Sequence, residues 1–198
     1  MKFVAATQNR HKLAELKAIL SGFGFEIISQ QEAGADIEVV EDGQTFEENA
    51  YKKAATLCKA LSMPAIADDS GICVDALDGQ PGVYSARYGG SDVKEDIDRN
   101  QLLLENMKDV PDGKRGARFV SCISCVFPDG RQVSARGECH GYILHKPQGV
   151  GGFGYDPLFF IPQAGKTMAQ VTQEEKNRIS HRAKALEKFA EKMRDIGF

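Results

Sequence analysis

Two long stretches of extended pattern, joined by a tight-turn sequence, restrict the fold of this chain most. Residues 118–127 read RFVSCISCVF, and residues 131–144 read RQVSARGECHGYIL. Between them lies Pro128-Asp129-Gly130, which is typical of the turn in a β-hairpin. The sequence therefore predicts one long antiparallel hairpin.

The N-terminal part of the chain alternates extended and helical patterns. Residues 2–6 and 25–29 read as short strands, and apolar residues at helical spacing begin at Leu13 between them. Thr45 and Glu48 form a capping-box signature, which predicts the start of a second helix. Together with the hairpin, this alternation predicts an α/β fold with a mixed sheet.

The C-terminal part is predicted to be one helix. Thr172 and Glu175 form a second capping-box signature, and apolar residues then recur at helical spacing as far as Met193. A further helix is expected over about residues 93–108, and a glycine-rich loop leads into LFFI at residues 158–161. No repeat or linker divides the 198 residues, a length that suits one domain over residues 1–198.

Charge and cysteine content restrict the partners and the location. Lys and Arg total 25 against 28 Asp and Glu, so no large positive field favours a polymeric nucleic acid. No apolar run has the roughly 18 residues of a membrane span, and the N-terminal sequence lacks the order of a signal peptide. The five cysteines are scattered and odd in number. We therefore expect reduced, buried thiols in a cytoplasmic protein that binds no membrane.

Cys122 and Cys125 form a C-x-x-C motif that could suggest a redox or zinc site. They lie within the alternating run of residues 118–127, where positions three apart point to opposite faces of a strand. Neither a redox nor a zinc role is therefore expected.

A polar loop follows the first predicted strand. It contains Thr7, Gln8, Asn9, Arg10, His11 and Lys12. A hydroxyl, an amide and fixed cations beside the N-terminus of a helix could bind phosphate, although the same residues also suit an ordinary surface connection. The loop is neither a P-loop nor a dinucleotide-binding fingerprint.

Carboxylates form a second group of candidates. Glu38 and Glu41 precede the second predicted helix, and Asp68 and Asp69 follow the short apolar strand of residues 65–67. Two adjacent carboxylates at this predicted strand break cost desolvation energy unless a cation or hydrogen bonds compensate. Mg²⁺ is a suitable cation, because it prefers carboxylate oxygens and bridges to phosphates. The alternative is that Asp-Asp-Ser-Gly only forms a turn.

A third group could recognise a purine. It consists of Phe153, Gly154, Tyr155, Asp156, Lys176, His181 and Arg182. Phe153 offers a stacking face, and the charged side chains offer donors and acceptors for a base edge. Lys176 and Ser180 are four apart, which places them on one face of the predicted last helix. The alternative is a basic helix with a solvated face.

Six segments in order resemble one family of nucleotide-cleaving enzymes. They are T-x-N-x-x-K from Thr7, EDGQTFEENA at 41–50, ADDSG at 67–71, GVYSARY at 82–88, GGFGYDPLF at 151–159 and SHR at 180–182. Their sequence and spacing are similar to those of the inosine triphosphate pyrophosphatase family, also described as XTP/dITP pyrophosphatases. The resemblance extends over almost the whole chain.

The resemblance implies a reaction and a role for each group of residues. The reaction is cleavage of deaminated purine triphosphates, such as ITP, dITP and XTP, to the monophosphate and pyrophosphate. Thr7 to Lys12 would hold the triphosphate, Glu41 and Asp69 would position Mg²⁺, and Asp69 would act as general base beside Ser70. The base pocket would consist of Phe153, Gly154, Tyr155, Asp156, Lys176, His181 and Arg182.

The resemblance also implies a long twisted mixed sheet, with flanking helices that form two lobes around a cleft, and a homodimer. Two alternatives remain at this point. One is a related, septum-site-type nucleotide pyrophosphatase with another base preference. The other is a nucleotide-binding protein without catalytic activity, for which Asp69 would be dispensable.

Overall fold

A seven-stranded sheet runs through the computed structural model, which describes all 198 residues. Its strands are β1 (Lys2–Ala5), β2 (Glu26–Ser29), β3 (Ala65–Val74), β4 (Gly116–Val126), β5 (Gln132–Ile143), β6 (Phe159–Ile161) and β7 (Lys166–Thr167). They lie in the order β2-β1-β3-β4-β5-β6-β7. Strand β1 pairs in parallel with β2 and β3, whereas β6 is antiparallel to β5 and β7. The predicted mixed sheet is confirmed.

Five α-helices accompany the sheet. They are α1 (Arg10–Ser21), α2 (Phe46–Leu61), α3 (Asp96–Asn106), α4 (Gln173–Ile179) and α5 (His181–Asp195). Both predicted capping boxes are present: the hydroxyls of Thr45 and Thr172 accept from the backbone N–H groups of Glu48 and Glu175. None of the helices is both long and apolar enough to cross a membrane.

The hairpin prediction is confirmed, but two boundary predictions are wrong. The Phe127 N–H donates to the Arg131 carbonyl at 2.9 Å, which closes the turn between β4 and β5. Strand β3 continues through Asp68 and Asp69, so these residues do not lie at a strand break. The C-terminal helix is divided at Ser180, whose backbone is extended (φ −69°, ψ 161°), so Lys176 and Ser180 do not share a helix face.

The chain forms two compact units, and neither is a continuous segment. The first unit contains residues 1–69, 121–137 and 181–198, and the second contains residues 70–120 and 138–180. The single domain expected over residues 1–198 stays a prediction.

The core of the first unit covers both faces of β1. Phe3 and Ala5 belong to a cluster with residues of α1 and α5, whereas Val4 packs with residues of α2. Alternate side chains of a strand point to opposite faces, so three helices can pack on one short strand. The ring centroid of Phe3 lies 5.5 Å from that of Phe25 and 6.4 Å from that of Phe189.

Gly137 allows α5 to approach β5 closely within the first unit. A Cβ atom at this position would lie 2.2 Å from the His181 carbonyl oxygen and 2.3 Å from the Ala185 nitrogen, both backbone atoms. Only glycine therefore fits here without displacing the first turn of α5. That turn carries His181 and Arg182, so Gly137 determines how deeply both residues lie.

The second unit has a separate core. Ile72 and Val74 of β3 pack with Leu103 and Met107 from α3, and Phe159 of β6 belongs to the same cluster.

All five cysteines of the chain are buried and unbridged, as expected.

Candidate active site

Seven charged side chains meet inside the first unit. They are the carboxylates of Glu15, Glu41, Asp68 and Asp69 and the cations of Lys12, Lys53 and Arg182. Helix α1 supplies Lys12 and Glu15, α2 supplies Lys53, α5 supplies Arg182, and β3 supplies the two aspartates. This charge cluster brings together four of the predicted site residues: Lys12, Glu41, Asp69 and Arg182.

Lys53 joins the two carboxylates that were predicted to hold a metal ion. Its Nζ lies 2.9 Å from Asp69 Oδ1, 2.8 Å from Glu41 Oε1 and 3.0 Å from the carbonyl oxygen of Asp68. Burial alone would lower the pKa of Lys53, but the charges of Asp69 and Glu41 outweigh burial and raise it. Lys53 is therefore a charged group that orients both carboxylates.

Sequence reasoning missed Lys53, although one signal was present. On α2 it stands three or four residues from Ala50 and Leu57, both of which are fully buried. A lysine on the buried face of an amphipathic helix needs a buried partner of opposite charge or has a role in a functional site.

Asp69 combines burial with an oxygen that no protein group satisfies. Its residue surface is 5% exposed, Oδ1 accepts from Lys53, and Oδ2 has no hydrogen-bond partner in the protein. Burial raises its pKa, and the nearby Lys53 and Lys12 compensate only in part. Asp69 thus has the properties of a base or of a cation ligand.

Asp68 has the opposite electrostatic character, although it is the neighbouring residue. Its carboxylate accepts from Ser121 Oγ at 2.5 Å, from Arg182 Nη2 at 2.9 Å and from Lys12 Nζ at 3.1 Å. Burial would raise the pKa of Asp68, but Arg182 and Lys12 hold it well below its usual value. Asp68 is therefore charged at neutral pH and anchors Lys12 and Arg182. Adjacent residues of one strand point to opposite faces, which explains how the two differ.

Arg182, which was predicted to contact the base, lies among the charged side chains of the first unit. It is fully buried, and its guanidinium binds Glu15 through Nη1 and Asp68 through Nη2. His181, at the preceding position of α5, is 4% exposed. In this structure Arg182 links α1, β3 and α5, and its predicted contact with a base stays a prediction, as does that of His181.

The polar loop before α1 is organised by Asn9. The Asn9 side chain caps the helix and accepts from the N–H groups of His11 and Lys12 at 2.9 and 3.1 Å. Thr7 Oγ1 in turn accepts from the Asn9 N–H at 3.2 Å. Lys12 extends from this loop to Asp68, and burial lowers its pKa.

The other three loop residues are exposed: Gln8, Arg10 and His11. Of the predicted phosphate-binding loop, Lys12 therefore joins the charge cluster, while Asn9 and Thr7 shape the backbone. Binding of phosphate by the loop stays a prediction.

Three of the predicted base-pocket residues meet inside the second unit: Phe153, Asp156 and Lys176. Lys176 Nζ lies 2.6 Å from Asp156 Oδ2 and 4.6 Å from the centroid of the Phe153 ring. Asp156 Oδ2 also accepts from the Phe153 N–H at 3.0 Å. Lys176 and Asp156 are each only 3% exposed. The aromatic ring, the ammonium and the carboxylate therefore form one fixed group.

Two further contacts shape the glycine-rich loop that carries Phe153. Gly152 has φ +73°, and a Cβ there would lie 2.0 Å from Asp156 Oδ2, so only glycine allows this carboxylate to approach. The Tyr155 hydroxyl donates to the carbonyl oxygen of Ser85 at 2.8 Å.

Ser70, predicted to contact substrate beside Asp69, is partly exposed in β3.

Comparisons with known proteins place this arrangement in a family. The sequence model of the Ham1 family matches residues 3–192. The dITP/XTP pyrophosphatase of Clostridium perfringens is 47% identical over 201 residues, which cover 98% of each chain. That of Escherichia coli K12 is 48% identical over 197 residues, again covering 98% of each chain. The solved Staphylococcus aureus Ham1 protein matches with a TM-score of 0.87 at 39% identity and covers 99% of this chain and 100% of that chain. The chain belongs to the Ham1 family.

Proposed function

We propose that the protein is a nucleoside triphosphate pyrophosphatase that converts deaminated purine triphosphates to the monophosphate and pyrophosphate. The observation that carries the proposal is the buried Asp69, which has one oxygen held by Lys53 and the other without a protein partner. The names of the relatives from Clostridium perfringens and Escherichia coli support the same substrate class.

The proposed reaction is attack of water on the α-phosphorus of the substrate. A new P–O bond forms, the bond between the α-phosphorus and the α–β bridging oxygen breaks, and pyrophosphate leaves with that oxygen. Asp69 accepts the proton of the attacking water. Lys53 donates to Oδ1 and keeps this carboxylate oriented.

Lys12 and Lys53 supply positive charge for the phosphates. Phosphoryl chemistry depends mainly on positioning and on neutralisation of charge, and fixed ammonium groups provide both. Lys12 is held by Asp68, which is itself held by Arg182 and Ser121. In this proposal Arg182, Asp68 and Ser121 position Lys12 and do not themselves react.

The residues present also fit a magnesium ion. Glu41 and Asp69 are two carboxylates held by one ammonium, and Asp69 Oδ2 is a buried oxygen that lacks a partner. Mg²⁺ favours such hard oxygen ligands and is usually held by one or two carboxylates. When bound, the ion would neutralise phosphate charge and polarise the phosphoryl oxygens.

Replacement of Glu41 by glutamine tests this assignment. Because glutamine is a weaker magnesium ligand, we expect Glu41→Gln to raise the Mg²⁺ concentration for half-maximal activity by about tenfold or more. Titration of steady-state activity with Mg²⁺ measures this shift. Glu38→Gln is the matched control, since Glu38 is an exposed carboxylate three residues earlier. Equal shifts in both variants, or no shift in either, would remove Glu41 from the metal site.

Phe153, Asp156 and Lys176 are proposed to recognise the base. The Phe153 ring would stack on the purine, and the Lys176 ammonium would donate to the 6-oxo group of hypoxanthine or xanthine. Adenine carries an amino donor at that position, and two facing donors cost about 1 to 3 kcal/mol. The group thus favours ITP and XTP over ATP.

The products and the choice of substrate test the function directly. We expect the purified protein with Mg²⁺ to release pyrophosphate from ITP, and kcat/KM for ATP to be at least about tenfold lower. Separate assays for pyrophosphate and orthophosphate, the former without added pyrophosphatase, distinguish the bond that is cleaved. Orthophosphate as first product would contradict cleavage at the α-phosphorus, and binding without turnover would indicate a non-catalytic protein. The homodimer and the cytoplasmic location remain predictions.

A further inference from the structure

Helix α3 holds one residue of the glycine-rich loop, Gly154, through both of its backbone polar groups. Asp96 Oδ2 accepts from the Gly154 N–H at 2.6 Å, and Asn100 Nδ2 donates to the Gly154 carbonyl oxygen at 3.0 Å. Asp96 and Asn100 are four residues apart on α3, so both side chains lie on one face of the helix. We call these two residues the α3 clamp.

The held segment contains three glycines in the left-handed backbone region. Gly149, Gly152 and Gly154 all have positive φ angles, of 86°, 73° and 61°. Glycine loses more conformational freedom on ordering than other residues do, so such a loop needs external contacts to keep one conformation. The clamp supplies two of these contacts, at the residue that follows Phe153.

Together with Asp156, the clamp fixes the backbone on both sides of Phe153. Asp156 Oδ2 accepts from the Phe153 N–H, and the clamp binds the next residue through its N–H and its carbonyl group. Holding successive peptide units in this way fixes the direction in which the Cα–Cβ bond of Phe153 points. Lys176 lies over the same ring, so the position of the ring and that of the ammonium are coupled.

The burial of Asn100 is unfavourable for stability, which indicates another role for this residue. It is 8% exposed, and its Oδ1 has no hydrogen-bond partner in the protein. A buried acceptor without a partner costs stability, and each such group in a folded protein calls for an explanation. The hydrogen bond to Gly154 provides one.

We propose that Asp96 and Asn100 are positioning residues that set base selectivity by fixing Phe153 and its loop. The inference rests on the proposed function, in which Phe153 contacts the purine. It adds that selectivity depends on α3, which touches neither the base nor the phosphates in this assignment. Loss of the clamp should weaken recognition of the base and leave recognition of the phosphates unchanged.

The test compares four variants in the full-length protein: Asn100→Ala, Asp96→Ala, Asp96→Asn and, as a matched control, Asp98→Ala. Asp98 is an exposed carboxylate in the same helical turn, so its loss removes equal charge from the start of α3. The measurements are kcat and KM for ITP and ATP, inhibition by tripolyphosphate as a probe of the phosphate site, and the thermal midpoint.

Asn100→Ala and Asp96→Ala are expected to raise KM for ITP about tenfold and to narrow the ITP:ATP ratio of kcat/KM, with inhibition by tripolyphosphate unchanged. Asp96→Asn keeps an acceptor oxygen, so it should restore most of the selectivity. Asp98→Ala should behave like the wild type.

Two results would overturn the inference: an unchanged ITP:ATP ratio in the folded clamp variants, or a parallel loss of tripolyphosphate inhibition, which indicates general disorder. If Asn100→Ala does not fold, the ITP:ATP ratios of Asp96→Ala and Asp96→Asn decide whether the clamp sets base selectivity. A wild-type protein that does not distinguish ITP from ATP would instead contradict the proposed function, and the clamp's role in selectivity with it.

Discussion

Replacement of Asp69 by asparagine is expected to lower kcat by about 10²- to 10⁴-fold, the usual contribution of a positioned general base. Asparagine has nearly the same shape and can still accept a hydrogen bond from Lys53, but it cannot take a proton from water. Steady-state release of pyrophosphate from ITP measures the loss.

The fold should survive this change. Burial raises the pKa of Asp69, so at neutral pH its charged form is less favourable in the folded protein than in the unfolded chain. A neutral side chain removes that cost, and Lys53 keeps Glu41 and the Asp68 carbonyl as partners. The thermal midpoint of Asp69→Asn should therefore not fall below that of the wild type.

Asp42→Asn is the matched control for this experiment. Asp42 is an exposed carboxylate whose side chain pairs with Lys52 at the surface. We expect its replacement to leave kcat unchanged within about twofold, because exposed ion pairs contribute little. An Asp69→Asn protein with near-normal kcat would exclude Asp69 as the base.

The second large effect is expected on stability. Arg182→Ala should lower the free energy of unfolding by about 3–5 kcal/mol, because it leaves Glu15 and Asp68 buried without their guanidinium partner. Urea titration of the protein in EDTA, without nucleotide, measures the change. Arg178→Ala is the control: Arg178 is exposed on α4, and its loss should change stability by no more than about 0.5 kcal/mol.

The same variant should alter the dependence of stability on pH. The pKa of Asp68 is held well below its usual value in the folded protein, so its stabilising contribution is present above the ordinary aspartate pKa. That contribution is lost as the pH falls through the folded-state pKa. Without Arg182 the pKa of Asp68 is lowered less. The free energy of unfolding should therefore fall less steeply on acidification. A destabilisation below about 1 kcal/mol, or an unchanged acid profile, would show that Arg182 is not the main partner of Asp68.

The features that were predicted correctly depend on short stretches of sequence. The capping boxes at Thr45 and Thr172 join residues three apart, and the turn around Pro128-Asp129-Gly130 is equally local. The mixed sheet followed from the order of such segments. Recognition of the family likewise required only motifs in a fixed order, each of which can be read without coordinates.

The two wrong boundaries show where local rules fail. Asp68-Asp69-Ser70-Gly71 has the composition of a turn, yet β3 passes straight through it. The tertiary structure overrides local preference here because Lys53, Arg182 and Ser121 supply partners that make buried aspartates tolerable within a strand. At Ser180 the apolar spacing continues across the break, so periodicity alone could not locate the end of α4.

The sequence by itself determined the fold class, the caps, the hairpin and the candidates for chemistry, because helix and strand signals act over a few residues. Only the tertiary structure decided how two neighbouring aspartates differ in their partners and in the direction of their pKa shifts. Asp68 and Asp69 are neighbours in sequence, but Asp68 meets Ser121 and Arg182, which lie 53 and 114 residues further along the chain, and its pKa is held well below the usual value. Asp69 meets Lys53 and keeps one oxygen without a protein partner. Burial and distant charges set a pKa, and neither is encoded within a local stretch of sequence.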